Sequence, residues 1–196
     1  PLVVPEINPE SAFKHKGIIA NPNCSTIQMV VALNPLHKAA EVKRVVVSTY
    51  QSTAGAGAKG MNELLNQTRA WANGDTLEIS SFPSQILFNL FPHVDIFMEN
   101  GYTKEEMKMV NETKKIMNAP NMGISATCVR VPVLRSHSEA VWIETEKKIT
   151  PEEAREILKK SPGLIVRDEP ENGGYPMPWD VDKTVETFVG RIREDF

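Results

Sequence analysis

Val42-Lys43-Arg44-Val45-Val46-Val47-Ser48-Thr49-Tyr50 is a run dominated by β-branched residues, with Gln51 at its end. Branching at Cβ stiffens χ1 and suits an extended backbone, so the run is expected to be a strand with at least one face in the core. Helical spacing flanks it. Upstream, Ile27, Val30 and Val31 recur at helical intervals behind the turn Asn21-Pro22-Asn23. Asn34-Pro35 should end or kink that helix, with Pro35 opening a continuation through Ala40. Downstream, a loop from Ser52 to Gly60 leads to Met61, Leu64, Leu65 and Trp71, a helical stripe closed by Asn73-Gly74.

Further out, Gly17-Ile18-Ile19-Ala20 reads as a small strand feeding the Asn21 turn. Residues 75–100 are broken by Pro83, Asn89 and Pro92, so the apolar Ile86, Leu87, Leu90 and Phe91 are expected to pack irregularly on the core or a partner. Thr103 and Glu106 have capping-box spacing, with Met107, Val110 and Met117 as the apolar stripe of the helix they open. Two strands are expected between Gly123 and Glu146, joined at Arg135-Ser136, with Pro132 marking an edge or bulge. Thr150-Pro151-Glu152-Glu153 opens a helix that stops at Ser161-Pro162-Gly163, and Thr184 to Arg193 closes as a strand. Strands and helices mix without regular alternation. The expected class is therefore α+β, a mixed, largely antiparallel sheet with helices packed on one face.

The 196 residues suffice for one buried core, in a single domain spanning 1–196. Hydrophobic and charged shares of 41% and 24% are those of an ordinary globular chain. A net charge of -3, with no basic cluster interleaved with aromatics, argues against a nucleic-acid binder. No apolar run has membrane length, and Pro1 begins no signal-peptide pattern, so a soluble protein off the membrane is expected. Cys24 and Cys128 are too few and too far apart for a metal knuckle or disulfide scaffold, which suits a reduced, cytoplasmic setting without a metal site.

Cys24 falls on the first turn of its helix, where unpaired N–H groups and the peptide dipoles favour a thiolate nucleophile. The alternative is a buried structural cysteine. His137, in the polar run Arg135-Ser136-His137-Ser138-Glu139, is the best placed histidine for proton transfer, or else a turn residue. Arg130 can grip a carboxylate through its planar fork, or be a solvated strand arginine. Glu105 and Lys108 share a helix face, as a surface ion pair or as ligands for an ammonium and a phosphate. Gly55-Ala56-Gly57-Ala58-Lys59-Gly60 spells a dinucleotide fingerprint, yet no second strand ending in an acid closes a βαβ unit. These glycines serve either a close backbone approach to a ligand or a connecting loop.

With these residues in order, the chain resembles the catalytic and dimerisation domain of the aspartate-semialdehyde dehydrogenase family over essentially its whole length. The resemblance rests on Asn21-Pro22-Asn23-Cys24-Ser25-Thr26, Ser48-Thr49-Tyr50-Gln51, Glu105-Glu106-Met107-Lys108, Val129-Arg130-Val131-Pro132-Val133 and His137-Ser138-Glu139-Ala140-Val141. It implies an NADP-dependent reductase converting β-aspartyl phosphate to aspartate semialdehyde, with phosphate released, for lysine, threonine and methionine synthesis. The fold implied is that of the C-terminal domain of glyceraldehyde-3-phosphate dehydrogenase-type enzymes. Carried over by motif, Cys24 is the nucleophile, His137 the acid/base partner and Gln51 the orienting residue. Arg130, Glu105, Lys108 and Asn23 bind substrate, and Gly55, Ala56 and Gly57 lie by the nicotinamide end of the cofactor.

The resemblance also implies an N-terminal dinucleotide-binding domain that this chain does not contain. Residues 1–20 read as a remnant of the link from it, and Arg191-Ile192-Arg193-Glu194-Asp195-Phe196 stops before a returning helix. An excised domain with an incomplete NADP site, little activity of its own and a homodimeric state is the expectation. A non-catalytic dimerisation module and an N-acetylglutamyl-phosphate reductase are the competing readings.

Overall fold

The computed structural model describes residues 1–196. Its centre is β1 (Val42–Gln51), with Val42, Val45, Val47, Thr49 and Gln51 facing inward. Strand β2 (Gly123–Arg130) lies parallel to it on one side and β3 (Ser138–Thr145) antiparallel on the other. The strands after Gly123 therefore do not pair as neighbours. Their connection, residues 131–137, crosses the end of β1, where Thr53 and Ala54 N–H groups donate to Val133 and Leu134 carbonyls at 2.8 and 3.0 Å. A second parallel pair joins β4 (Leu164–Val166) to β5 (Thr187–Val189). The three-stranded sheet is mixed as expected, with one parallel and one antiparallel pair, and the separate two-stranded sheet is parallel, so the antiparallel weighting is corrected.

Helix α1 (Cys24–Ala40) is capped by Asn23, whose Oδ1 accepts the Thr26 N–H at 3.0 Å. The helix continues through Pro35 to Ala40, the continuation expected, with Met29, Val30, Val31 and Leu33 buried before the proline and Ala40 after it. Glu41, in the left-handed conformation at φ 56°, then reverses the chain into β1. Helix α2 (Gly57–Asn73) begins inside the expected loop, after a 3-10 turn at Thr53–Ala56, and ends at left-handed Gly74. In α3 (Lys104–Ile116) the capping box of Thr103 and Glu106 is formed. Its buried stripe is Glu105, Glu106, Met109, Thr113 and Ile116; Met107 and Val110 are only half-buried. Helix α4 (Pro151–Lys159) carries a second capping box, and α5 (Pro178–Val181) is a single turn.

The main core joins α1, α3 and α4 to the inner face of the sheet through Met29, Val30, Val45, Val47, Met109 and Leu158. Cys128 lies in it, with Sγ 3.6 Å from Met109 Sδ. The opposite sheet face leaves Val46, Tyr50 and Trp142 exposed. A smaller cluster of Leu64, Phe82, Ile86, Leu87 and Phe91 sits under the irregular segment 75–103. Gln67 of α2 pins that segment by accepting the Ile86 and Leu87 N–H groups at 3.2 and 3.0 Å and donating to the Glu78 carbonyl at 2.8 Å. Phe88 and Leu90 stay exposed. Two expected strands shrink: Gly17–Ala20 to a single bridge between Leu2 and Ala20, and Thr184–Arg193 to the three residues of β5.

Glu106 binds the start of α3 to β2, one oxygen accepting the Thr103 N–H at 2.7 Å and the other the Cys128 N–H at 2.9 Å. Glu106→Ala loses a cap and orphans a buried N–H, which should cost about 2–4 kcal/mol in denaturant unfolding.

Candidate active site

The topology brings five chain ends together. Helix α1 leads directly into β1, so its start lies beside the end of β1, and Gln51 Nε2 donates to Ser25 Oγ at 2.6 Å. The start of α3 reaches the same place: Glu105 accepts from Gln51 Nε2 at 3.1 Å. Parallel pairing puts Arg130, the last residue of β2, in register with Gln51. The connection into β3 then delivers His137 onto Ser52.

Asn23 is locked on three sides: Nδ2 donates to Glu105 Oε1 at 2.7 Å, its N–H donates to Glu112 at 2.7 Å, and Oδ1 caps α1. Cys24, the first helical residue, is open to solvent. Lys108 Nζ bridges Glu105 at 3.2 Å and Asp95 at 3.0 Å. Arg130 is buried, donating from Nη1 to the Ser52 carbonyl at 2.6 Å with its guanidinium 5.8 Å from the Phe82 ring centre. A Cβ on Gly55 would stand 2.9 Å from Arg130 Nη1 and 3.2 Å from His137 Nε2, so this position has no room for a side chain. Ala56 and Gly57 are exposed beside it, Gly57 with φ 75°.

The electrostatics correct one expectation. Burial around the sulfur, and then the Glu105 carboxylate, raise the Cys24 thiol above its ordinary value, outweighing the hydrogen bonds from the Ser25 and Cys24 backbone. The start of α1 alone therefore does not hold a thiolate. Burial and the Arg130 charge lower His137 from 6.5 to about 4, so the imidazole is neutral at pH 7. Burial would raise Glu105, but the hydrogen bonds from Asn23, Gln51 and Lys108 prevail and keep its carboxylate ionised. Burial also lifts Cys128 to about 12, leaving it inert, and Glu139 to about 8.

Every residue singled out from the sequence lies in or beside this cluster. Ser52, Asp95, Glu112 and Phe82 were not foreseen. Ser52 follows Gln51 directly, so its proximity was readable; the others come from distant segments with no local pattern to mark them. No group of histidines, cysteines and acids could hold a metal ion.

One end of an α+β sheet thus gathers a thiol, an imidazole, a guanidinium and a paired carboxylate, groups that chemistry at a carbonyl or acyl centre can use. Residues 33–196 match the family described as semialdehyde dehydrogenase, dimerisation domain, and the chain belongs to that family. The aspartate-semialdehyde dehydrogenase of Aquifex aeolicus is 61% identical over the full chain, which spans 58% of that relative's length. A crystal structure of aspartate semialdehyde dehydrogenase II from Vibrio cholerae, complexed with ASA, is 47% identical with a TM-score of 0.95, covering 100% of this chain and 58% of that one. A Candida albicans enzyme solved with NADP is 26% identical with a TM-score of 0.68, over 100% of this chain and 58% of that one.

Because unfolded His137 binds a proton near 6.5 and the folded residue only near 4, the unfolded state carries more protons in that window, and stability falls as pH drops through it. NMR titration should show the His137 ring neutral down to about pH 5. His137→Asn should flatten that part of the stability profile.

Proposed function

We propose that this chain is the thiol-bearing part of an aspartate-semialdehyde dehydrogenase, acting on β-aspartyl phosphate in the cytoplasm, on the route to lysine, threonine and methionine. The observation carrying this reading is the convergence of Cys24, Gln51, Glu105, Arg130 and His137 at one end of the sheet. Arg130 takes the substrate α-carboxylate with the guanidinium N–H groups not spent on Ser52. Glu105, supported by Asn23, receives the α-ammonium. Its buried negative charge favours a free amino substrate over an acetylated one. Lys108 meets the phosphate.

Cys24 gives up its proton as Sγ attacks the acyl carbon; the C–S bond forms, the bond to phosphate oxygen breaks, and the phosphate departs carrying that proton, leaving a thioester. Gln51, fixed by Ser25 and Glu105, orients the acyl group, and neutral His137 exchanges a proton with the acyl oxygen. NADPH, when bound, supplies the two-electron reduction. The exposed Gly55-Ala56-Gly57 turn, with clear space at Gly57, fits its nicotinamide end. Breaking the C–S bond afterwards frees the semialdehyde and restores the thiol. Grip on the rest of the cofactor belongs to a dinucleotide-binding domain outside these residues.

The chain alone should show no appreciable NADP-dependent oxidation of aspartate semialdehyde. Joined to the dinucleotide-binding domain it should be active, and Cys24→Ser should then lower kcat by more than about a thousandfold. Activity retained in that variant would sink the reading.

The exposed face carrying Val46 and its cross-strand partner Trp142 is the surface through which two copies pair. Sedimentation at micromolar concentration should give a dimer, and Trp142→Asp should shift it to monomer. A wild-type monomer would refute the pairing.

A further inference from the structure

We propose that Ser52 is a positioning residue whose backbone N–H fixes His137 as the Nε2–H tautomer, so that the imidazole meets the acyl group as a hydrogen-bond donor. A backbone N–H can only donate. That of Ser52 lies 3.0 Å from His137 Nδ1, so Nδ1 must offer its lone pair, and a neutral ring must carry its proton on Nε2. Ser52 is fully buried, so no solvent competes for this bond. Its Oγ, 3.2 Å from the same nitrogen, adds a second contact. Protonating Nδ1 would aim one N–H at another, which adds to the burial and the Arg130 charge that already disfavour the imidazolium.

Ser52 cannot drift from this position. Its carbonyl accepts from Arg130 Nη1 at 2.6 Å, and the next two N–H groups, of Thr53 and Ala54, are clamped to residues 133 and 134. A single residue thus orients both the imidazole and the guanidinium. The Nε2 edge faces Gly55, an exposed position without a side chain, so the donor is presented on the open side. This assignment rests on the reading in which an acyl substrate comes to Cys24. There it gives His137 a definite first act, donation to the acyl oxygen.

The test is long-range 1H–15N correlation of the His137 ring in the 15N-labelled chain at pH 7, assigned with His137→Asn, together with the 15N–15N coupling across the Ser52 bond. The expected result is an unprotonated Nδ1, a protonated Nε2, and a coupling from Nδ1 to the Ser52 amide nitrogen that persists in Ser52→Ala. An Nδ1–H tautomer, an imidazolium, an absent coupling, or loss of the tautomer in Ser52→Ala would overturn the proposal. No substrate is involved, so this result is independent of the Cys24→Ser activity test, which judges the acyl-transfer reading by itself.

Discussion

The Glu105 carboxylate is the constraint on which the rest of the site depends. It is buried, and a charge taken out of water costs several kcal/mol unless donors replace the lost hydration. Those donors come from Asn23 before α1, Gln51 at the end of β1 and Lys108 one helical turn along α3. Satisfying one anion therefore draws three separate elements to a point. Burial first, and then this same anion, raise the neighbouring Cys24 thiol, so the group that assembles the site also disfavours a thiolate beside it.

Chain direction does the remaining placement. Two helix-to-strand units, α1 into β1 and α3 into β2, lie side by side with their strands parallel, so each contributes a helix start and a strand end to the same edge. Strand β3, running the other way, can only begin there. Two parallel units and one reversed strand thus bring the five candidate side chains to one edge. The irregular segment 75–103 then needs to supply only supports: Asp95 for Lys108 and the Phe82 ring for Arg130.

Much of this was legible in the sequence, for local reasons. The valine run, the capping boxes at Thr103 and Thr150, and the glycine stop at Gly74 depend on neighbours within a few residues, and all are present. Pairing order was not legible, because nothing within β2 or β3 records that β1 lies between them. The direction of the Cys24 shift was not legible for a similar reason: the helix start is a local feature, whereas the burial around the sulfur and the Glu105 carboxylate that raise the thiol come from long-range packing. The continuation through Pro35 to Ala40 was legible, since proline is tolerated where the turn it would break is carried on by its neighbours. The candidate residues lie close together, while their supports, held by long-range contacts, carry no local sequence signal.

The two cysteines differ in more than chemistry. Cys24 is open to reagent in the folded molecule, whereas Cys128 is sealed beneath Met109 with its proton held to about 12. A thiol reagent added to the native protein therefore reaches Cys24 without unfolding, and Cys128 only as often as the core opens. The rate at which Cys128 becomes accessible thus reports opening of the core that holds it, without dye or engineered reporter.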